Sequence, residues 1–225
     1  MLVSAIMPTR GRPAMSLTAL DCWKQQTWPE KELIILDDQD DPSFLVPPGE
    51  PGVRYYKGPK LTVGAKREWL CSKANGEAII HFDSDDWSAP DRIAQQMEFL
   101  KTGKPMSGYH SILFWDMRHS VGYRWKGSEG FTCGAGMCYT RDFWRKQHFR
   151  DVKFGEDNEM VYAAQRSGGV ATLDGCLMLT ARAHSSNTSS AARIGNNAWP
   201  KVQDAAFNPA FFAAVELEML RKEAA

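Results

Sequence analysis

The chain lacks several features that would assign it to a simple class. Its 225 residues carry 27 basic and 27 acidic side chains, so no net charge draws it toward nucleic acid or anionic membranes. No apolar run approaches membrane-spanning length, and the first residues have neither the basic region nor the long apolar core of a signal peptide. We therefore expect a protein with no membrane span, located in the cytoplasm.

Cysteine usage excludes two further classes. The five cysteines are odd in number and include no C-x-x-C pair, which argues against a disulfide-framed secreted domain and against a zinc site of the common type. Reduced thiols are the expected state. No internal repeat or low-complexity segment is present, and 43% hydrophobic residues are enough for a substantial core.

What the first half does contain is an alternation of short apolar runs and helical patterns. Strands are predicted at residues 2–7, 33–36, 53–56 and 78–82, and helices at residues 13–26, 63–74 and 90–100. Pro8 is expected to end the first strand, and Pro90 to occupy the first position of its helix. This order is typical of an α/β domain with a mostly parallel sheet and helices on both faces.

The second half is less regular. Strands are predicted at residues 111–115, 130–139 and 170–180, helices at residues 156–166 and 209–222, and a polar loop at residues 183–197. We treat the whole as one domain with two differently patterned halves.

Acidic residues follow the predicted strands and begin one predicted helix. They are Asp37, Asp38, Asp83, Asp85, Asp86, Glu156 and Asp157. In an open parallel sheet these positions meet at the carboxyl edge, where ligands bind. Carboxylates this close repel one another unless a divalent cation with a preference for oxygen lies among them. The pattern indicates Mg²⁺ or Mn²⁺ holding a diphosphate, although Asp and Ser also cap turns and helices with no other role.

Three functions fit this arrangement. A sugar transferase that uses a nucleotide donor is favoured. A nucleotidyltransferase acting on a sugar phosphate also combines an α/β sheet with acidic metal ligands, but the Gly-rich loop with a following Lys is absent after the first strand. A non-catalytic module that binds nucleotide or carbohydrate would keep the fold and bind donor without turning it over.

An ordered series of motifs resembles glycosyltransferase family 2. The series consists of VSAIMPTR at 3–10, QTWP at 26–29, ELIILDD at 32–38, Gly64 and Arg67, NGEAIIHFDSDD at 75–86, PDR at 90–92, Gly155-Glu156-Asp157, and an R-x-H-x-x-N-x-S stretch from Arg182 to Ser189. Two positions depart from the family pattern: Gln39 stands where a Gly is usual, and Glu68 where an Asn is common.

The resemblance implies a GT-A fold and an inverting glycosyltransferase. The donor would be a nucleotide diphosphate sugar, with a UDP-sugar favoured. The domain would span residues 1–195, with a nucleotide-sugar-binding half at 1–105 and an acceptor and catalytic-base half at 106–195; residues 196–225 would form a helical extension. The acceptor stays open among a saccharide, a lipid-linked glycan, a protein and a modified nucleic acid.

The same resemblance implies roles for individual residues. The donor-binding residues would be Thr9, Arg10, Asp38, Arg67, Asp83 and Asp85. Asp85 and Asp86, with His184, are the expected ligands of Mn²⁺ or Mg²⁺. Asp157, next to Glu156, is the expected catalytic base, because a carboxylate near an acceptor hydroxyl can take its proton. Asn187 and Ser189 are weaker candidates. Independently of the resemblance, the rings of Trp87, Trp115, Trp125 and Trp199 could pack against a sugar or a base, and Trp87, beside the acidic cluster, is the favoured one.

Overall fold

The computed structural model describes residues 1–39, 49–185, 187 and 199–223. Their strands are β1 (Val3–Thr9), β2 (Lys31–Asp37), β3 (Val53–Lys57), β4 (Ala78–His81), β5 (Trp87–Ser88), β6 (Met106–Asp116), β7 (Val121–Lys126), β8 (Cys138–Thr140), β9 (Val170–Asp174), β10 (Leu179–Ala183) and β11 (Lys201–Val202). Short 3-10 turns lie at Gly134–Gly136 and Asp204–Ala206.

Six helices accompany these strands in the described residues. They are α1 (Pro13–Lys24), α2 (Val63–Ser72), α3 (Arg92–Leu100), α4 (Arg141–Lys146), α5 (Glu156–Arg166) and α6 (Pro209–Glu223). Pro13 begins α1 at a position where no backbone N–H is needed. Thr62 caps α2 by accepting a hydrogen bond from the backbone N of Ala65 at 3.1 Å. None of these six helices has both the length and the apolar composition that a membrane-spanning helix needs.

The sheet is built around a parallel block. β1 pairs in parallel with β2 on one side and β4 on the other, and β3 adds in parallel beyond β2. Past β4 the sheet becomes mixed, because β8 runs antiparallel to both β4 and β6. β6 then pairs with β7, β9 and β10 along its length. The expected α/β class with a parallel centre is confirmed.

Helices cover both faces of the parallel block. Side chains alternate along β1, so Ala5 and Met7 pack with α1, α3 and α6, whereas Ile6 packs with α2, α4 and α5. All three side chains are fully buried. The two layers leave the carboxyl ends of β1, β2 and β4 as the open edge.

Three expectations about element boundaries are wrong. β1 continues through Pro8 to Thr9 and stays paired with β2 over that length. Pro8 interrupts no hydrogen bond there, because its missing N–H would point toward β4, and the pairing of β4 with β1 already ends at Ile6. Pro90 lies two residues before α3, since Asp91 is the N-cap. The segment 170–180 contains two strands, β9 and β10, rather than one.

The glycine-rich segment 130–139 also differs from expectation. It forms the 3-10 turn Gly134–Gly136 followed by the short strand β8, rather than one continuous strand. The predicted polar loop 183–197 falls mostly outside the described residues.

Candidate active site

A cavity of about 1080 Å³ opens at the carboxyl edge of the parallel block. The sequence-predicted residues that line it are Thr9, Arg10, Asp38, Arg67, Asp83, Asp85, Asp86, Glu156, Asp157 and Asn187. His184 does not line the cavity but contacts Asp85 behind its wall. Ser189 lies outside the described residues. Residues from β1, β2, α2, β4 and α5 therefore converge on one space, as expected for an α/β ligand site.

Asp38 is held by a lysine that sequence reasoning missed. Lys66 Nζ donates to Asp38 Oδ1 at 2.6 Å and to the carbonyl of Thr9 at 3.1 Å, and Leu61 N donates to Asp38 Oδ2 at 3.2 Å. Burial lowers the pKa of Lys66, although its bond to Asp38 opposes the shift. The signal available in the sequence was the Lys66-Arg67 pair in the first turns of a helix that starts at the site edge.

Arg67 joins two parts of the acidic site. Its Nη1 pairs with Glu156, and its Nη2 lies 3.5 Å from Asp83 Oδ2. Burial on its own would lower the pKa of Arg67, but the carboxylates of Asp83 and Glu156 raise it, so the guanidinium stays charged. Glu156 is thereby occupied by Arg67, and the neighbouring Asp157 is left facing the cavity.

Asp85 is the most heavily engaged member of the acidic loop, which we define as residues 83–86. Its Oδ2 accepts hydrogen bonds from Arg12 Nη1, from His184 Nε2 at 3.1 Å and from Asn187 Nδ2 at 3.2 Å. Burial alone would raise the pKa of Asp85, but the hydrogen bond from His184 and the charge of Arg12 lower it. Among the carboxylates of the loop, Asp85 is therefore the one that its neighbours stabilise as an anion.

Asp86 is held differently. Its Oδ1 accepts from the backbone N of Arg182 at 3.1 Å. Burial, followed by the charges of Asp85 and Asp83, raises the pKa of Asp86 well above its usual range. Burial also raises the pKa of Asp83, so the loop contains one carboxylate stabilised as an anion and two that resist ionisation, as expected when like charges share a site.

Two of the three expected metal ligands, Asp85 and His184, lie next to each other. Asp85 Oδ2 and His184 Nε2 are 3.1 Å apart, close to the separation of adjacent ligands around an octahedral cation with bonds of about 2.1 Å. Asp86 is turned toward Arg182, and in the part of the chain that the structure describes no three His, Cys, Asp or Glu side chains form a group that would hold a metal. The guanidinium of Arg12 contacts the Asp85 oxygen that would face the ion.

Asp157 lies against a glycine turn. It sits in the first turn of α5, just after Gly155, which adopts a left-handed conformation with φ of 82°. A Cβ added to Gly134 would fall 2.5 Å from Asp157 Oδ2. A residue with a side chain at position 134 would therefore displace the carboxylate, which accounts for the glycine.

Buried side chains fix the three successive carbonyls of this turn. His81 Nδ1 donates to Gly134 O at 2.7 Å, Arg92 Nη2 to Ala135 O at 2.6 Å, and Gln96 Nε2 to Gly136 O at 2.7 Å. All three donors are fully buried. Burial lowers the pKa of His81 well below its ordinary value, so the ring is neutral and Nδ1 carries the proton. We refer to these three side chains as the carbonyl clamp.

The expectation for Trp87 is wrong. Its ring is 4% exposed and packs edge-on against Phe211 of α6 at 6.2 Å between centroids. It belongs to the core beneath the acidic loop rather than to the cavity wall. The exposed aromatic ring at the site is Phe154, which sequence reasoning missed.

Fold and site together define an α/β domain whose acidic D-x-D loop faces a ligand cavity at the carboxyl edge of a parallel sheet. In a comparison with protein families, the Glycosyl transferase family 2 profile matches residues 4–149, which is more than half of the chain. The chain belongs to glycosyl transferase family 2. The match ends before Glu156, Asp157 and His184.

Solved structures support the same fold. S. aureus TarS residues 1–349 in complex with UDP-GlcNAc superposes with a TM-score of 0.62 at 15% identity, covering 84% of this chain and 60% of that chain. The UDP complex of the same TarS fragment gives a TM-score of 0.60 at 15% identity, covering 81% and 60%. This chain thus spans about three fifths of the length of these neighbours, and at this identity the likeness shows the GT-A fold alone. Curated protein sequences gave no match.

Proposed function

We propose that the chain catalyses inverting transfer of a sugar from a nucleotide diphosphate donor, a UDP-sugar, to an acceptor hydroxyl, with a divalent cation, Mn²⁺ or Mg²⁺, as cofactor. The observation that carries the proposal is the single cavity lined by Asp38, the acidic loop and Asp157. This reaction needs a nucleotide site, a diphosphate site and a base, and we assign these to Asp38, the acidic loop and Asp157 respectively.

The donor is assigned to the half formed by residues 1–105. Asp38 is buried and fixed by Lys66 at the end of β2, with Thr9 beside it, where a base or ribose would be read. Arg10 lines the same space and has no acidic partner among the described residues, so it is free to meet a phosphate. The TarS neighbours were crystallised with UDP-GlcNAc and with UDP, which favours uridine as the base.

The acceptor is assigned to residues 106–195, where Asp157 would accept the proton of the attacking hydroxyl. Attack on the anomeric carbon from the side opposite the departing diphosphate inverts its configuration. Glu156 supports the base indirectly, because its pairing with Arg67 keeps it from competing for that proton. A divalent ion held by Asp85 and His184 would supply positive charge to the leaving diphosphate.

The remaining residues, 196–225, are assigned to a helical extension. We also place the protein in the cytoplasm, which its five unpaired cysteines support.

A thermal-shift screen of UDP-, GDP-, CMP- and dTDP-sugars with and without Mn²⁺ tests the donor and the metal together. A ligand at 100 times its dissociation constant stabilises the folded state by about 2.7 kcal/mol, so a UDP-sugar with Mn²⁺ is expected to give the largest rise in Tm. No shift with any of these sugars would refute the proposal.

The base is tested separately. Asp157→Asn is expected to reduce turnover by about 10²–10⁴-fold while leaving the affinity for UDP unchanged. Full activity in this variant would show that another group takes the proton.

A further inference from the structure

Arg182 ties the acidic loop to the C-terminal helix. It lies on β10, and its backbone N donates to Asp86 Oδ1 at 3.1 Å while its Nε donates to the carbonyl of Asp85. Its Nη1 pairs with Glu218 of α6. Arg182 is 2% exposed and Glu218 is 1% exposed, so this ion pair is removed from solvent.

Aromatic packing docks the same helix beneath the loop. Phe211 of α6 is fully buried and contacts Trp87, the residue that directly follows the acidic loop. Phe211 also packs against Trp115 of β6, with ring centroids 6.1 Å apart. The helix is therefore attached to the loop both by packing and by a charge pair.

The charge pair has the larger consequence for the site. A buried guanidinium that loses its carboxylate is strongly unfavourable, since its desolvation is no longer offset. Without Glu218, Arg182 would be left beside the carboxylates of Asp85 and Asp86 and would turn toward them. Glu218 thus keeps the Arg182 charge away from the oxygens that face the cavity.

We propose that Glu218 is a positioning residue of the acidic loop, acting through Arg182. The C-terminal helix, which lies outside the residues matched by the family profile, is then a working part of the site rather than an appendage. The proposal rests on the proposed function only in taking the loop as the place where metal and diphosphate bind.

Glu218→Gln is the first variant, because it keeps the size of the side chain and removes its charge. Glu216→Gln is the matched control, since Glu216 lies on the same helix and is exposed. Hydrogen–deuterium exchange without ligand is expected to be faster for the peptide spanning residues 83–88 in Glu218→Gln only. Exchange in α5 is expected to be unchanged in both variants.

Binding of Mn²⁺ alone and of UDP gives the second readout. Residues that orient metal ligands typically change metal affinity by about 10–100-fold, and we expect a loss of this size in Glu218→Gln and none in Glu216→Gln. Glu218→Asp keeps the charge and is expected to recover part of the affinity. Leu100→Ala, a buried core change at the end of α3, provides a variant of lowered stability at a residue outside the hydrogen bonds and ion pair of Arg182.

The outcomes separate the alternatives. If Glu218→Gln lowers Tm as Leu100→Ala does, while exchange in residues 83–88 and both dissociation constants stay at wild-type values, the residue is merely structural and the proposal fails. If the wild type binds neither Mn²⁺ nor UDP, the proposed function fails, and the exchange experiment still decides whether Glu218 positions the loop.

Discussion

Gly134→Ala tests whether the position of Asp157 sets the rate. The new Cβ would lie 2.5 Å from Asp157 Oδ2 and 3.1 Å from its Cβ, where ordinary contact begins at 3.4 Å. The turn cannot retreat easily, because the carbonyl clamp holds its three carbonyls. The carboxylate must therefore move by about 0.9 Å.

A misplacement of about 1 Å is associated with a loss of roughly 10²-fold in rate, equivalent to about 2.7 kcal/mol in the barrier. We expect kcat for release of UDP from the donor to fall by that factor, with the affinity for UDP unchanged. The assay uses water as the acceptor, so it does not depend on knowing the natural one.

Gly136→Ala is the control in the same turn. Its Cβ would meet Thr132 Oγ1 at 2.9 Å and no atom of Asp157 is among its nearest neighbours, so it perturbs the turn from the other side. If Gly134→Ala turns over donor at the wild-type rate, or if both variants lose the same activity, the placement of Asp157 by Gly134 is not what limits the reaction.

Three further predictions follow from charge and burial. Arg12→Gln is expected to strengthen binding of Mn²⁺ alone by roughly tenfold, since Asp85 loses a competing cation; unchanged affinity in an electron paramagnetic resonance titration would refute this competition. Burial lowers the pKa of His81, so as pH falls below about 6.5 the imidazole takes up a proton in the unfolded chain but not in the folded one. The free energy of unfolding of the wild type should therefore fall by up to about 1.4 kcal/mol per pH unit from this group. Urea unfolding between pH 7.5 and 5 should show a shallower dependence in His81→Gln, and equal slopes would contradict the assignment. Burial raises the pKa of Cys133 to about 12, so only about 10⁻⁴ of it is thiolate at pH 8; iodoacetamide should label it far more slowly than a free thiol, and rapid labelling read by mass spectrometry would contradict this.

The sequence was a good guide where local patterning decides structure. The helix predicted at residues 156–166 occupies those residues, and the four strands of the parallel block were all located within a few residues of their ends. Strands buried on both faces are apolar at every position, so each appears in the sequence as a continuous apolar run followed by turn residues.

The glycine turn shows where local reading fails. Residues 130–139 have strand-like composition between glycines, but the turn at Gly134–Gly136 is held by side chains from β4 and α3. Those donors are about 40 to 50 residues earlier in the chain. Tertiary contacts of this range override local preference and leave no periodic trace.

The same limit applies to the site. The D-x-D pattern and Asp157 were recognisable as chemistry, whereas their partners were not: Lys66 for Asp38, Arg12 for Asp85 and Glu218 for Arg182 are pairings that only folding creates. Trp87 was misjudged for a related reason, since adjacency to Asp86 in sequence does not say which face of a strand the ring takes. Carboxylates can be predicted from motifs, but the cations that balance them cannot.

That balance explains how an acidic site can accept a polyanion. Lys66, Arg67 and Arg12 are each paired with an acid of the site, so Asp38, Glu156 and Asp85 are each offset by a cation before any ligand arrives. Arg10 and Lys60 also line the cavity, and they have no acidic partner within the described residues. Arg10 and Lys60 are therefore left to attract phosphate. The positive charge that draws the donor is thus separate from the positive charge that holds the acidic loop.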